Sequence, residues 1–309
     1  MLEDDIPFED DIRRVTYQQL KREHKRAWDS IWKISEVTID GDDQAEQALN
    51  YSIYHLNCIA PRNLHGKSIP ARGLSGQVYK GAIFWDTEMF MLDYYIYTAP
   101  DVARTLLQYR IDTLDGARKK AAEYGLNGAY YAWESQEGGY EACTDFNIVD
   151  VFTQRPVRTY FRDKQYHLIL KDGALEVIVE CARFYRSILI KQVDSDDYEI
   201  RDVVGPDEYH ERVNNNAYTN RMAKFVFESA VQLLQYAKEK GICGQFDDNL
   251  QTVFADSAAK LRQQMPDERG VIEQFDGYFH LEDTDIETLR SRLRDTGAAH
   301  MVLPVTRKS

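Results

Sequence analysis

Two adjacent carboxylates, Asp207 and Glu208, stand in the run Gly205-Pro206-Asp207-Glu208-Tyr209-His210. A Gly-Pro turn that delivers two acids, a Tyr and a His puts ionisable groups on a loop held by rigid elements, where chemistry is usually placed. Close carboxylates oppose each other's ionisation, and burial raises the pKa of the less solvated one. A protonated Glu would then serve as a general acid near neutral pH. Spacing alone favours the plainer reading, in which Asp207 caps the turn and Glu208 is a solvated side chain. The Asn-rich stretch Asn214-Asn215-Asn216-Ala217-Tyr218-Thr219-Asn220 follows and opens a long amphipathic segment.

Together with Phe84-Trp85-Asp86-Thr87-Glu88 upstream, this run resembles the glycoside hydrolase family 65 disaccharide phosphorylases, a group acting on maltose, trehalose, kojibiose and nigerose. The resemblance runs from about Lys21 to Leu303 in one motif order. It implies cleavage of an α-glucosidic bond by inorganic phosphate with inversion, giving β-glucose 1-phosphate and a free acceptor sugar. An inverting hydrolase needs a second carboxylate to activate water, whereas phosphate is already an anion and needs only the acid. By position in the motif, the resemblance makes Glu208 that acid, with Asp207, Tyr209 and His210 as supporting groups.

Trp85 and Asp86 match the family's subsite for the non-reducing glucose. An indole face covers the apolar face of a pyranose, and a carboxylate accepts hydrogen bonds from its hydroxyls. The plain alternative is a core Trp with an Asp helix cap. Trp133 and Glu134 match residues that line the pocket near the acceptor, with Ala132 where the family carries Pro. Ala82 stands where the family commonly has His. The resemblance also covers Asp163-Lys164-Gln165-Tyr166-His167, where His167 reads either as an acceptor-site ligand or, in preference, as a helix-entry residue. Arg155-Pro156-Val157-Arg158-Thr159-Tyr160 would mark a subgroup acting on linkages other than maltose.

Other classes are disfavoured. With 38 basic and 51 acidic residues the net charge is −13, which opposes binding to a phosphate backbone, so no nucleic acid partner is expected. Hydrophobic residues make up 43% and charged residues 29%, ordinary for a globular chain. Cys58, Cys143, Cys181 and Cys243 form no CxxC pair, so neither a metal site nor a disulfide framework is suggested, and Cys181 falls on an apolar helical face. No membrane span or leader is read, which points to the cytoplasm. Inorganic phosphate is the co-substrate and no other cofactor is expected.

The elements that must hold these residues read as helices. Periodicity places them at Asp11–Ser35, from Asp42 to Pro61, from Glu88 to Pro100 with Asp86 or Thr87 as cap, and from Asp101 to Tyr124. A helix with Ala174, Val177, Ile178, Cys181 and Tyr185 inward follows, then one after Asn220, one over 249–264 and one from Asp285 to Arg294. Val37-Thr38-Ile39 and Tyr198–Val204 read as extended, and 61–82 and 126–165 as long loops. The fold class is therefore all-α, with paired helices. The resemblance narrows it to a partial (α/α)6 toroid, glycosidase type, with residues 1–40 as a linker helix region and 41–309 as an incomplete catalytic domain.

In the family a sugar-holding Lys-Gln pair and a phosphate-binding loop follow beyond Ser309. The chain is thus expected to be truncated, with a homodimer formed by the full-length protein. Two readings compete with the phosphorylase. One is a trehalase-like α-glucoside hydrolase of the same fold, and the other an inactive, carbohydrate-binding copy.

Overall fold

The computed structural model describes residues 15–62, 64–74, 78–143, 172–206, 210, 212–241, 246–247 and 249–296. The stretches 155–160 and 163–167, and the carboxylates Asp207 and Glu208 with Tyr209, lie outside them. Helix dominates, in agreement with the all-α reading. The helices are α1 (Tyr17–Ser35), α2 (Asp43–Ile59), α3 (Leu92–Thr98), α4 (Pro100–Asp112), α5 (Leu114–Glu123), α6 (Ala174–Ile188), α7 (Ala217–Glu239), α8 (Leu250–Lys260) and α9 (Ile286–Thr296). A short antiparallel ribbon pairs β1 (Ile190–Lys191) with β2 (Tyr198–Glu199).

Local chemistry explains most boundaries. Thr16 and Gln19 form a reciprocal capping box, which starts α1 later than its charge pattern suggests. Asp42 caps α2 through the N–H of Ala45 at 2.9 Å, and Pro61 lies just past the end. Val37-Thr38-Ile39 pairs with no strand among the described residues; instead Asn50 on α2 brackets Val37, its side chain accepting from the Val37 N–H and donating to its carbonyl.

The single helix read over 101–124 is two, broken at Thr113. The cause is tertiary. Gly139 passes so close to Thr113 that an added Cβ would meet the Thr113 Cβ at 2.7 Å, and Gly116 lies against the Gly138 carbonyl. The loop that follows α5 therefore crosses the helix junction, and only glycines fit there.

The core is continuous through α3 to α8. Ala174, Val177, Ile178, Cys181 and Tyr185 are all buried on α6, as their spacing predicts. An aromatic spine joins the layers: Tyr130 stacks on Phe184 at 4.8 Å, Tyr185 meets Phe227 at 6.4 Å and Phe227 meets Phe254 at 6.0 Å. Full burial of a ring such as Phe227 stabilises by about 1.5–3 kcal/mol relative to exposure. On the N-terminal side α1 packs on α2 through Trp28 stacked on Tyr54 at 4.8 Å. The Tyr95 hydroxyl then donates to the Leu56 carbonyl at 2.6 Å, tying α2 to α3. None of the described helices is long and apolar enough to cross a membrane.

Candidate active site

One wall of the site is built by a two-residue β-bridge. Ile83 and Ser135 exchange both backbone hydrogen bonds, at 2.9 and 3.0 Å, which lays Phe84-Trp85 beside Trp133-Glu134. The Trp85 and Trp133 rings come to 6.3 Å between centroids, tilted by 45°, and Phe84 meets Trp133 edge-on at 6.1 Å. Both tryptophans are half-buried.

Asp86 does not take the capping role that the plain alternative gives it. It precedes a π-helical turn, Thr87–Met91, yet its side chain makes no capping hydrogen bond. Ala82 and Ala132, the two departures from the family pattern, are 0% and 1% exposed and belong to the packed interior behind the wall.

Helix α4 fixes this wall from behind. Arg110 donates to both oxygens of Glu88, at 2.9 and 2.7 Å, and its Nη2 also donates to the Phe84 carbonyl at 3.0 Å. One guanidinium therefore clamps both ends of the 84–88 turn that carries Trp85 and Asp86. Burial opposes the charge on Arg110, but Glu88 outweighs it and holds the guanidinium pKa above its ordinary value. From the preceding position on the same helix, the Tyr109 hydroxyl hydrogen-bonds the Ser135 hydroxyl at 2.7 Å.

A strained strap borders Glu134. Tyr79 and Lys80 both have left-handed backbones, with φ of 63° and 55°, a conformation that costs energy for side chains of this size. Lys80 Nζ sits 3.7 Å from Glu134 Oε2 and donates to the Ala142 carbonyl at 3.2 Å.

A second group supports the loop from Gly205 to His210. Val203 and Val213 exchange backbone hydrogen bonds at 3.0 Å each and close the loop at its base. Asp202, just before that pair, and Arg212, just inside it, both have φ of 57° and are joined by an ion pair at 2.8 Å. Asn215 has φ of 51° and is fully buried. Such strain persists only where surrounding bonds over-determine it, and here they do.

The Asn-rich stretch supplies those bonds. Asn214 accepts from the Asp202 N–H at 3.1 Å, and Asn215 donates to Asp276 at 2.7 Å. Asn216 caps α7 by accepting from the Thr219 N–H at 3.0 Å, and Asn220 donates to Asn215 at 3.2 Å and to the Arg262 carbonyl at 2.8 Å. Burial pushes the Glu199 carboxyl up, but hydrogen bonds from Gln192, Arg201 and Asn215 outweigh that and hold it below the usual carboxylate range. His210 packs on Phe275 at 5.1 Å and on Tyr278 at 5.8 Å, next to the Asp276 that holds Asn215.

Gly205 is required at this base because a Cβ there would collide with the buried Asn216 amide. Gly205→Ala is expected to displace that cap and cost about 0.5–2 kcal/mol, the usual range for a lost N-cap. Thermal unfolding of the variant checks this, and an unchanged midpoint would show that the cap survives.

Of the residues singled out from sequence, the structure brings Trp85, Asp86, Trp133 and Glu134 to one wall and places His210 in a second aromatic group. Asp207, Glu208 and Tyr209 are not among the described residues. Arg110, Glu88, Lys80 and Asn215 were not foreseen as site residues. The signal for the first two was a charge inside an apolar run, Glu88 before Met89-Phe90-Met91-Leu92 and Arg110 after Leu106, Leu107 and Tyr109.

These elements are those of a known catalytic domain. The pattern of the glycosyl hydrolase family 65 central catalytic domain matches residues 50–169 and 156–307. The chain belongs to glycosyl hydrolase family 65. A nigerose phosphorylase from Lachnoclostridium phytofermentans is 54% identical over 94% of this chain and 42% of its own length. A 1,2-alpha-glucosylglycerol phosphorylase from Bacillus selenitireducens is 40% identical over 86% of this chain and 38% of its own length. A kojibiose phosphorylase from Halothermothrix orenii is 36% identical over 91% and 39%.

The chain thus spans about two fifths of the length of these family 65 relatives. A solved structure of a candidate kojibiose phosphorylase from the human microbiome superposes with a TM-score of 0.77 at 24% identity, covering 94% of this chain and 44% of that one. It carries the fold, consistent with helices of an (α/α)6 domain.

Proposed function

We propose that this chain is part of an inverting α-glucoside phosphorylase, in which inorganic phosphate displaces an acceptor sugar to give β-glucose 1-phosphate. The observation that carries the proposal is the 54% identity to a nigerose phosphorylase over 94% of the chain, well above the 36% to a kojibiose phosphorylase. Nigerose is accordingly the first disaccharide to test. The helical domain would begin near residue 41, after a linker helix region over 1–40. A homodimer, a cytoplasmic setting and phosphate as the sole co-substrate complete the reading.

In this reading Glu208 protonates the glycosidic oxygen as it leaves, and Asp207, Tyr209 and His210 orient it. Trp85 and Asp86 hold the glucose that is transferred, the indole against its apolar face and the carboxylate on its hydroxyls. Trp133 and Glu134 border the acceptor, and the pairing of the two half-buried tryptophans on one wall supports this placement. The Arg110 clamp supports a wall that is set before substrate arrives, which limits the ordering that binding demands.

The reading predicts phosphate-dependent release of glucose 1-phosphate from a panel of nigerose, kojibiose, maltose and trehalose. The panel is run on this chain and on a form extended through the rest of the family's catalytic domain. Glucose release that ignores phosphate would replace the reading with a hydrolase, for which a kojibiose hydrolase from Flavobacterium johnsoniae, 34% identical over 72% of this chain, is the relevant relative.

A further inference from the structure

Glu141 lies outside every motif considered above, yet three backbone N–H groups converge on its carboxylate. Trp133 donates to Oε2 at 2.7 Å, and Glu134 and Cys143 donate to Oε1 at 2.9 and 3.1 Å. Lys120, from α5, adds an ion pair to Oε2 at 2.6 Å, with side chains only 5% and 14% exposed. The Lys120 ammonium also sits 3.7 Å from the centroid of the Tyr130 ring, so it is held from two sides.

The pair acts on the backbone of the two residues that the proposed function puts beside the acceptor. Glu134 is tied at its N–H by Glu141 and at its carbonyl by the Ala142 N–H at 2.9 Å. Ser135, next in sequence, is tied to Ile83 through the bridge. Between these anchors the Trp133-Glu134 peptide has little freedom.

Only a charged acceptor serves here. Burial pushes the Glu141 carboxyl up, but Lys120 and the Trp133 and Glu134 N–H groups outweigh it and leave the carboxyl below its usual range. A Gln side chain would offer one accepting oxygen and turn an NH2 toward the donors it must satisfy. Hydrogen bonds to a carboxylate are also roughly twice as strong as those between neutral groups.

We infer that Lys120 and Glu141 are a positioning pair for the acceptor wall: Glu141 fixes the Trp133-Glu134 backbone, and Lys120 keeps Glu141 charged and aimed. The link to sugar rests on the proposed function; the clamp itself rests on the hydrogen bonds alone. Neither residue touches the reacting atoms, so both act through Trp133 and Glu134.

Two readouts separate the clamp from the sugar link. Amide hydrogen exchange over 133–143 is followed in the wild type, Glu141→Gln and Lys120→Met, and the glucobiose panel is titrated against tryptophan fluorescence in the same proteins. Glu141→Gln is expected to speed exchange of the Trp133, Glu134 and Cys143 amides roughly tenfold, with the α6 and α7 amides unchanged, and to weaken sugar binding by a similar factor. Lys120→Arg, which keeps the charge, should restore much of the loss seen in Lys120→Met.

Unchanged exchange in Glu141→Gln overturns the clamp, and faster exchange with undiminished sugar binding overturns its positioning role. A wild type that binds no sugar in either the present or the extended form, with faster exchange in the variant, sinks the functional reading and leaves the clamp standing. Should Glu141→Gln fail to fold, the wild type still decides the matter. Because the folded carboxyl is depressed, protection of these amides should persist above the ordinary carboxylate range and be lost only as pH falls through the lower folded value. Protection that does not change across that fall overturns the clamp.

Discussion

Replacing Glu208 by Gln should lower phosphorolysis of an α-linked glucobiose by about 10²–10⁴-fold, the usual contribution of a general acid. Gln keeps the size and hydrogen-bonding capacity of the side chain but has no proton to give to the departing oxygen. The loop is closed at Val203 and Val213 and held by the Asn214–Asn216 stretch, so its support lies outside the substituted position. Thermal unfolding is followed in parallel, because a loss well beyond about 0.5 kcal/mol would mark damage to the fold rather than removal of the acid.

The leaving group makes the test specific. A glucosyl fluoride of the same anomeric configuration expels fluoride without needing a proton, so the Glu208→Gln penalty should largely vanish with it. By microscopic reversibility the same residue would deprotonate the acceptor hydroxyl during synthesis from β-glucose 1-phosphate, and that direction should fail in parallel. An equal loss with fluoride and with a glucobiose would mean that the substitution disturbs the loop rather than removing an acid. Full activity of the variant would move the acid to Asp207.

How much of this was legible in the sequence depends on how local each cause is. The buried face of α6 was readable because Ala174, Val177, Ile178, Cys181 and Tyr185 repeat with helical spacing inside one segment. The break between α4 and α5 was not, since Thr113 sits in a good helical pattern and yields only because Gly138 and Gly139 cross it from more than twenty residues downstream. Of the ribbon, β2 opens the stretch read as extended from Tyr198, but its partner β1 escaped for the same reason. Two-residue strands carry no periodicity, and the pairing of Ile190 with Glu199 is a tertiary fact.

The candidate site divides along the same line. Residues that would meet a sugar announce themselves by type and motif, as Trp85, Asp86, Trp133 and Glu134 do. Residues that aim them do not. Glu141 looks like any loop acid until three N–H groups are seen converging on it. Asn215 looks like a turn residue until its left-handed backbone and its bond to Asp276 show it bracing the loop that carries Glu208.

Arg110→Met should be the most destabilising single change in the wall. The Arg110 and Glu88 side chains are 3% and 4% exposed, and removing one partner of such a pair strands the other's charge away from water. The expected cost is about 3–5 kcal/mol, which for a domain of this size lowers the unfolding midpoint by roughly 6–20 °C. Removing both charges with Arg110→Met and Glu88→Leu should recover most of that loss, because apolar residues of similar volume replace a buried ion pair at little net cost.

Stability and binding should then part company. The double variant regains its packing, yet the Phe84 carbonyl has lost the Nη2 donor that held it at 3.0 Å, so the turn carrying Trp85 and Asp86 is no longer fixed at both ends. Calorimetry should therefore show near wild-type unfolding while a sugar titration shows weakened affinity. A single Arg110→Met variant that unfolds within a degree or two of wild type would mean that water reaches the pair. A double variant that recovers affinity together with stability would mean that Arg110 serves the fold and leaves the aim of Trp85 and Asp86 to other contacts.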